Sequence, residues 1–328
     1  MNTRRALPIL IVTALASAVL VAITGAPSSS TPVAPHPLHG PAINAHGLST
    51  PPTNDFCQAN FAICCYNPTQ IEKAYDLAPL YKRGTIGKGT TIVIVDSFGS
   101  PTIANDLRVF DQTFGLPDPP SLITRQDGGA VPAWDPTNAD MIGWAEETTL
   151  DVEWAHAIAP GAKILIEATP VAETEGVTGL PEMMKAENYV INHNLGDVIT
   201  QSFGATEETF PSKQSILTLR SGFNNAVNHH VTVLAATGDE GATSYMLNGN
   251  DFYTTSVIDW PASDPLVTAV GGTKLSLTTT ERASCRTWCG MTPTGPAEAG
   301  SRQSLAVRCF RRRTRASPAT TAAYPTSR

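Results

Sequence analysis

Four short apolar runs stand at wide intervals along the sequence: Thr91-Ile92-Val93-Ile94-Val95-Asp96, Lys163-Ile164-Leu165-Ile166-Glu167-Ala168, Asp197-Val198-Ile199-Thr200-Gln201-Ser202 and Val231-Thr232-Val233-Leu234-Ala235-Ala236. Each has the length and the β-branched content of a buried strand. Helical spacing fills the intervals, over 102–114 closed by Gly115, over 146–158 ended by Ala159-Pro160-Gly161, and near 181–194 and 213–229. Strands that alternate with helices of this length form an α/β fold, a mostly parallel sheet with helices on both faces. In such a sheet function gathers at the carboxyl ends of the strands. Ser202-Phe203-Gly204 and Thr237-Gly238-Asp239-Glu240-Gly241 stand at two of those ends. A further short helix is expected from Pro68, with Thr69 as its cap.

With 328 residues, 41% of them hydrophobic, the chain can bury one large core. Arg4 and Arg5 precede an apolar run from Leu7 to Ile23, the layout of a secretory signal over residues 1–26. A retained anchor is the alternative, weakened by Thr13, Ser17 and several alanines. Residues 27–55 read as a Pro/Ser-rich linker, and 56–280 carry the periodic pattern. The formal charge of −7 is unevenly spread. Residues 281–328 hold nine Arg, no Lys and two acids, a local +7 that leaves −14 on residues 1–280. An acidic body argues against nucleic acid as a partner. Six cysteines (Cys57, Cys64, Cys65, Cys285, Cys289, Cys309) suit disulfides in an exported protein, and sequence chooses none of the 15 pairings. Zinc is disfavoured because the spacing lacks a second ligand pair.

Glu147 and Asp151 stand four residues apart in the helix expected over 146–158, so they project from one face. Leu150, Trp154, Ala157 and Ile158 form its apolar stripe. Such an acid pair is ordinarily a solvated surface feature. Asp239 between two glycines is ordinarily a turn residue. His156, five residues beyond Asp151, points off the acids' face and reads as packing. Asp96 ends the first run; no histidine in a glycine-flanked motif follows it, so a Ser-His-Asp triad is unsupported and Asp96 reads as structural. Trp144 and Trp154 flank the acids as cleft wall or packing.

The segments Val93-Ile94-Val95-Asp96-Ser97-Phe98-Gly99, Glu147-Thr148-Thr149-Leu150-Asp151, Ser202-Phe203-Gly204, Ala236-Thr237-Gly238-Asp239-Glu240-Gly241 and Trp260-Pro261-Ala262-Ser263-Asp264-Pro265 through Val270-Gly271-Gly272-Thr273 occur together and in order. Jointly they resemble the sedolisins, serine-carboxyl peptidases of subtilisin-like fold, over about residues 64–280. The resemblance implies an endopeptidase in which Glu147 is the general base, Asp151 holds and tunes it, and Asp239 donates to the oxyanion. The chemistry is coherent. A serine hydroxyl must lose its proton as it attacks an amide, and in acid a carboxylate remains available where imidazole would already be protonated. Asp239 can stabilise an oxyanion only while it carries a proton. An acidic optimum is therefore expected.

The sequence departs from the family pattern after Thr280. The family's nucleophile lies in a Gly-Thr-Ser motif followed by an Asp- and Gly-rich calcium site, and neither occurs here; Ser284, Ser301, Ser304, Ser317 and Ser327 lack that context. The expectation is a domain without its C-terminal part, no nucleophile, no cofactor or metal in this chain, and no peptidase activity. Residues 281–328 would be an aberrant, disordered tail from a lost reading frame. A genuine basic tail for an anionic partner is the alternative. The large prosegment common in the family has no room between signal and core. The expected partner is a protein or peptide substrate, met by a secreted monomer with no stable membrane association after leader removal. The rival reading is a non-catalytic exported α/β protein binding a peptide or other ligand at Asp239. A small-molecule hydrolase lacks its G-x-S-x-G turn.

Overall fold

The computed structural model describes residues 51–61 and 64–272, with 275 and 277. The expected signal, most of the linker, the Arg-rich tail and the second cysteine group lie outside the described residues. Two short helices come first, α1 (Asn54–Phe61) and α2 (Pro68–Ala74), then a single turn, α3 (Ala78–Tyr81). The cap of α2 is Asn67 rather than Thr69. Its side chain accepts from the Gln70 amide at 2.9 Å while the Gln70 side chain accepts from the Asn67 amide at 3.0 Å, a closed capping box with Pro68 inside it. A disulfide joins Cys57 to Cys65 and fastens α1 to the segment before α2.

Alternation then sets in. Strand β1 (Thr91–Ser97) leads to helix α4 (Ile103–Phe114), β2 (Leu122–Arg125) to α5 (Ala139–Ile158), and β3 (Lys163–Thr169) to α6 (Leu180–Asn192). Strand β4 (Val198–Gln201) is followed by the short β5 (Ala205–Thr206), helices α7 (Lys213–Leu219) and α8 (Ser221–His229), and β6 (Thr232–Ala236). Strands β7 (Asp259–Trp260) and β8 (Thr268–Val270) complete the described part. The helix expected near 213–229 is thus two, broken at Arg220. The Arg220 guanidinium is held by Asp264 at 2.7 and 3.1 Å.

The main sheet is six-stranded and parallel, in the order β2-β3-β1-β4-β6-β8; β5 and β7 form a separate antiparallel pair. Strand β1 is buried on both faces, which is why its sequence shows no polar alternation. Val93 and Val95 belong to the larger core, with Met183, Ile191, Phe223 and Trp260. Ile94 faces the other way, onto Ile103, Leu107 and Val152 of α4 and α5. From β1 the chain first builds outward through β2 and β3, then returns to place β4 on the opposite side of β1. The carboxyl ends of β1 and β4 therefore flank a topological switch point, where open α/β sheets place their sites. Among the described residues no helix is long and apolar enough to cross a membrane.

Candidate active site

Helix α5 delivers two acids to that switch point. Asn138 starts the helix by accepting from the amides of Asp140 and Met141 at 2.9 and 3.1 Å, so it begins seven residues ahead of the stretch legible as helix. Its buried residues are Met141, Trp144, Glu147, Thr148, Val152, His156 and Ala157. Leu150 is 41% exposed. The stripe expected from Leu150 and Trp154 is therefore not the face against the sheet, and the acid-bearing face is. Apolar residues surround most of this helix, so periodicity could not choose a face; the neighbours at the sheet end did. Trp154 packs on Phe110 at 6.3 Å between ring centroids, and His156 lies buried with Nε2 2.7 Å from the Pro117 carbonyl.

Asp96 joins these acids. Side chains alternate along a strand, so Asp96 continues the Ile92 and Ile94 face of β1 under α5 and is fully buried there. Burial first, then the charges of Asp151 and Glu147, hold its carboxyl well above the ordinary range; the Thr148 hydroxyl, which donates to the Trp144 carbonyl at 2.8 Å, tempers this only slightly. Glu147 is pushed up to about 8 by burial, then by Asp151 and Asp239. Asp151 is raised to about 6 by burial, and the Ser202 hydroxyl, donating to its Oδ1 at 3.0 Å, pulls it back. Both acids are thus held above the ordinary carboxylate range, and so close together they titrate as a pair.

The third acid comes from a different element. Asp239 follows β6 in a turn whose Gly238 has φ 84°, and a Cβ on Gly238 would sit 2.2 Å from Oδ2 of Asp259. Only glycine lets the two segments meet there. Asp239 raises the carboxyl of Glu147 on one side and of Asp259 on the other. The structure thus brings Glu147, Asp151 and Asp239 together from α5 and the β6 loop.

A cleft of about 80 Å³, room for roughly half a dozen waters or one side chain, opens beside Asp239; Trp144, Glu173, Glu175, Ser202 and Asp259 line it. Trp144 is the wall of the two flanking tryptophans. Asp96, read from the sequence as structural, lies beneath the acid pair, and Glu173, Glu175 and Asp259 drew no sequence reading. Strand alternation was a usable signal for Asp96, and Asp259 stands directly before the Trp260-Pro261 motif, whereas nothing local marks the two glutamates. Among the described residues no group of three or more His, Cys, Asp or Glu side chains is placed to hold a metal ion.

No family model matches the chain. Over 211 residues it is 29% identical to kumamolisin of Bacillus sp. (strain MN-32), covering 64% of this chain and 34% of that protein. Sedolisin of Pseudomonas sp. (strain 101) is 27% identical over 214 residues, covering 65% and 34%. Among solved structures it is similar to Pseudomonas sedolisin, a serine-carboxyl proteinase complexed with two molecules of pseudo-iodotyrostatin, with TM-score 0.53, 26% identity, and coverage of 67% of this chain and 56% of that one. The chain spans about a third of the length of these curated relatives.

Proposed function

We propose that this chain, a homologue of the sedolisins with their α/β subtilisin-like fold, carries the acid half of a serine-carboxyl peptidase site. The observation that carries this reading is the convergence of Glu147 and Asp151 with Asp239, supplied by separate elements and each opposing ionisation of Glu147. Glu147 is the base for a serine hydroxyl, Asp151 its partner, and Asp239 the donor to the oxyanion. Ser202 positions the pair from the end of β4.

With Asp151 near 6 and Glu147 near 8, the acids by themselves hold their protons through the acid range. A hydroxyl donated to Glu147 by an attacking serine would favour its charged form and shift the working range downward. Asp239 can serve as the oxyanion donor only while it carries a proton. The substrate is a protein or peptide, and the expected setting is outside the cell, after removal of residues 1–26.

No serine of this sequence stands in a Gly-Thr-Ser context, so this chain binds peptide without cleaving it. Incubation with an unfolded protein at about pH 4, within the carboxylate range, checks both halves. Saturable peptide binding that Glu147→Gln alters, with no new fragments, is the expected result. Fragments lost on Glu147→Gln would place a nucleophile within the chain and overturn the inactivity. Absence of binding at any acid pH would overturn the peptidase reading.

A further inference from the structure

The cleft beside Asp239 has an acid floor. Glu173 is 1% and Asp259 8% exposed, and both line the cleft. Oε1 of Glu173 and Oδ1 of Asp259 are buried without a hydrogen-bond partner. Unsatisfied buried carboxyl oxygens facing a cavity are costly unless something that enters the cavity meets them. Glu175 lies alongside, held by the Thr206 amide at 2.9 Å, with the Thr209 hydroxyl 3.1 Å away.

The charge is equally one-sided. Beyond burial, Glu173 is opposed by Glu175 and Asp259, Glu175 by Asp259, and Asp259 by Glu208 and Asp239, while the Thr206 amide and the hydroxyls of Ser244, Thr206 and Thr209 relieve Glu175 and Asp259. Among the described residues none of the three carboxyls is in an ion pair with a lysine, arginine or histidine. Strand β5 and the Glu173 loop hold the floor rigidly: Ser97 Oγ accepts from the Glu173 amide at 3.0 Å, and a Cβ on Gly179 would meet the Glu173 Cα at 2.6 Å.

We propose that this recess takes a cationic side chain, the ammonium or guanidinium of a peptide ligand, and that Glu173 is the residue that sets the preference. The inference deepens the peptidase reading and rests on it only for the identity of the ligand as peptide. Entry of the cation displaces a proton from the floor to bulk solvent, leaving a neutral pair of ammonium and carboxylate. Lysine or arginine fits where an equally long apolar side chain would leave the carboxyls unmet.

Calorimetric titration of the full chain with n-butylammonium, n-butylguanidinium and neutral n-butanol tests this, run at about pH 5 in two buffers of different ionisation enthalpy. The expected result is binding of both cations with proton release, butanol weaker by about tenfold or more, as for loss of a hydrogen bond to a charged group. Glu173→Gln, which is isosteric, should abolish that advantage and leave butanol unchanged; Asp259→Asn is the second variant if the first does not fold. Equal binding of butanol and butylammonium, or an undiminished advantage in folded Glu173→Gln, would overturn the proposal without needing peptide at all. Cation binding that a lysine-containing peptide fails to displace would leave the cation pocket standing and remove the peptide as its ligand, so the two readings fail separately.

Discussion

Helices α5 and α6 each bury a glutamate against the same sheet, and the two glutamates mean different things. Glu147 of α5 and Glu187 of α6 are both pushed up to about 8. For Glu187 burial is the whole cause, with the side-chain amide of Gln201 as its sole relief; Gln201 Nε2 donates to Glu187 Oε1. For Glu147 burial is joined by the charges of Asp151 and Asp239, and its neighbours open to a cleft. A raised pKa alone therefore does not mark a site; convergence of acids from separate elements does.

The contrast can be broken first at α6. Glu187→Ala strands the buried Gln201 amide and opens a cavity, so urea unfolding should show a loss of about 3 kcal/mol. Glu147→Gln, which keeps the shape of the protonated carboxyl, should change stability by less than about 1 kcal/mol. Equal losses would erase the distinction.

Next comes pH. A carboxyl whose folded pKa is raised keeps, in the folded state, a proton that the unfolded chain releases above its ordinary value. Its contribution is therefore fully present below that value and disappears as pH rises through the folded pKa. For Glu147 and Glu187 the window runs from 4.5 to about 8. Thermal melts across that range should show stability falling as pH rises, and Glu187→Gln should flatten part of the slope while leaving peptide binding intact. A stability maximum near neutrality would contradict the burial of these acids.

A smaller effect sharpens the α5 side. Asp151→Asn should lower the Glu147 pKa and leave Glu187 unmoved, which carboxyl NMR titration can read. Movement of both would deny that the cluster is local. Smallest of all, Leu150→Ala on the exposed face of α5 should cost less than about 0.5 kcal/mol; a large loss would restore the apolar stripe first expected of that helix.

Much of the framework was legible. Strands β1, β3, β4 and β6 are read within a residue or two: β1 and β3, buried on both faces, must be short apolar runs, and β4 and β6, buried at alternate residues, keep the same β-branched content. Helix ends were harder: Asn67 outcompeted Thr69 through a reciprocal bond with Gln70, and Asn138 started α5 ahead of its periodic stretch. The Glu147 and Asp151 pairing was legible because i,i+4 spacing is local. Glu173, Glu175 and Asp259 were not, because 84 residues or more separate the two glutamates from Asp259 and only strand order closes that gap.

By itself the sequence determined the α/β alternation, the shared face of two acids and the glycine turn that carries a third, since each depends on neighbours a few residues away. Only the tertiary structure decided that the acid face of α5 is the buried one, that Asp96 lies beneath it, and that a second group of carboxyls floors the cleft. Those outcomes depend on desolvation and charge at the meeting of β1, β4 and β6, and both arise from distances in space that chain spacing does not encode.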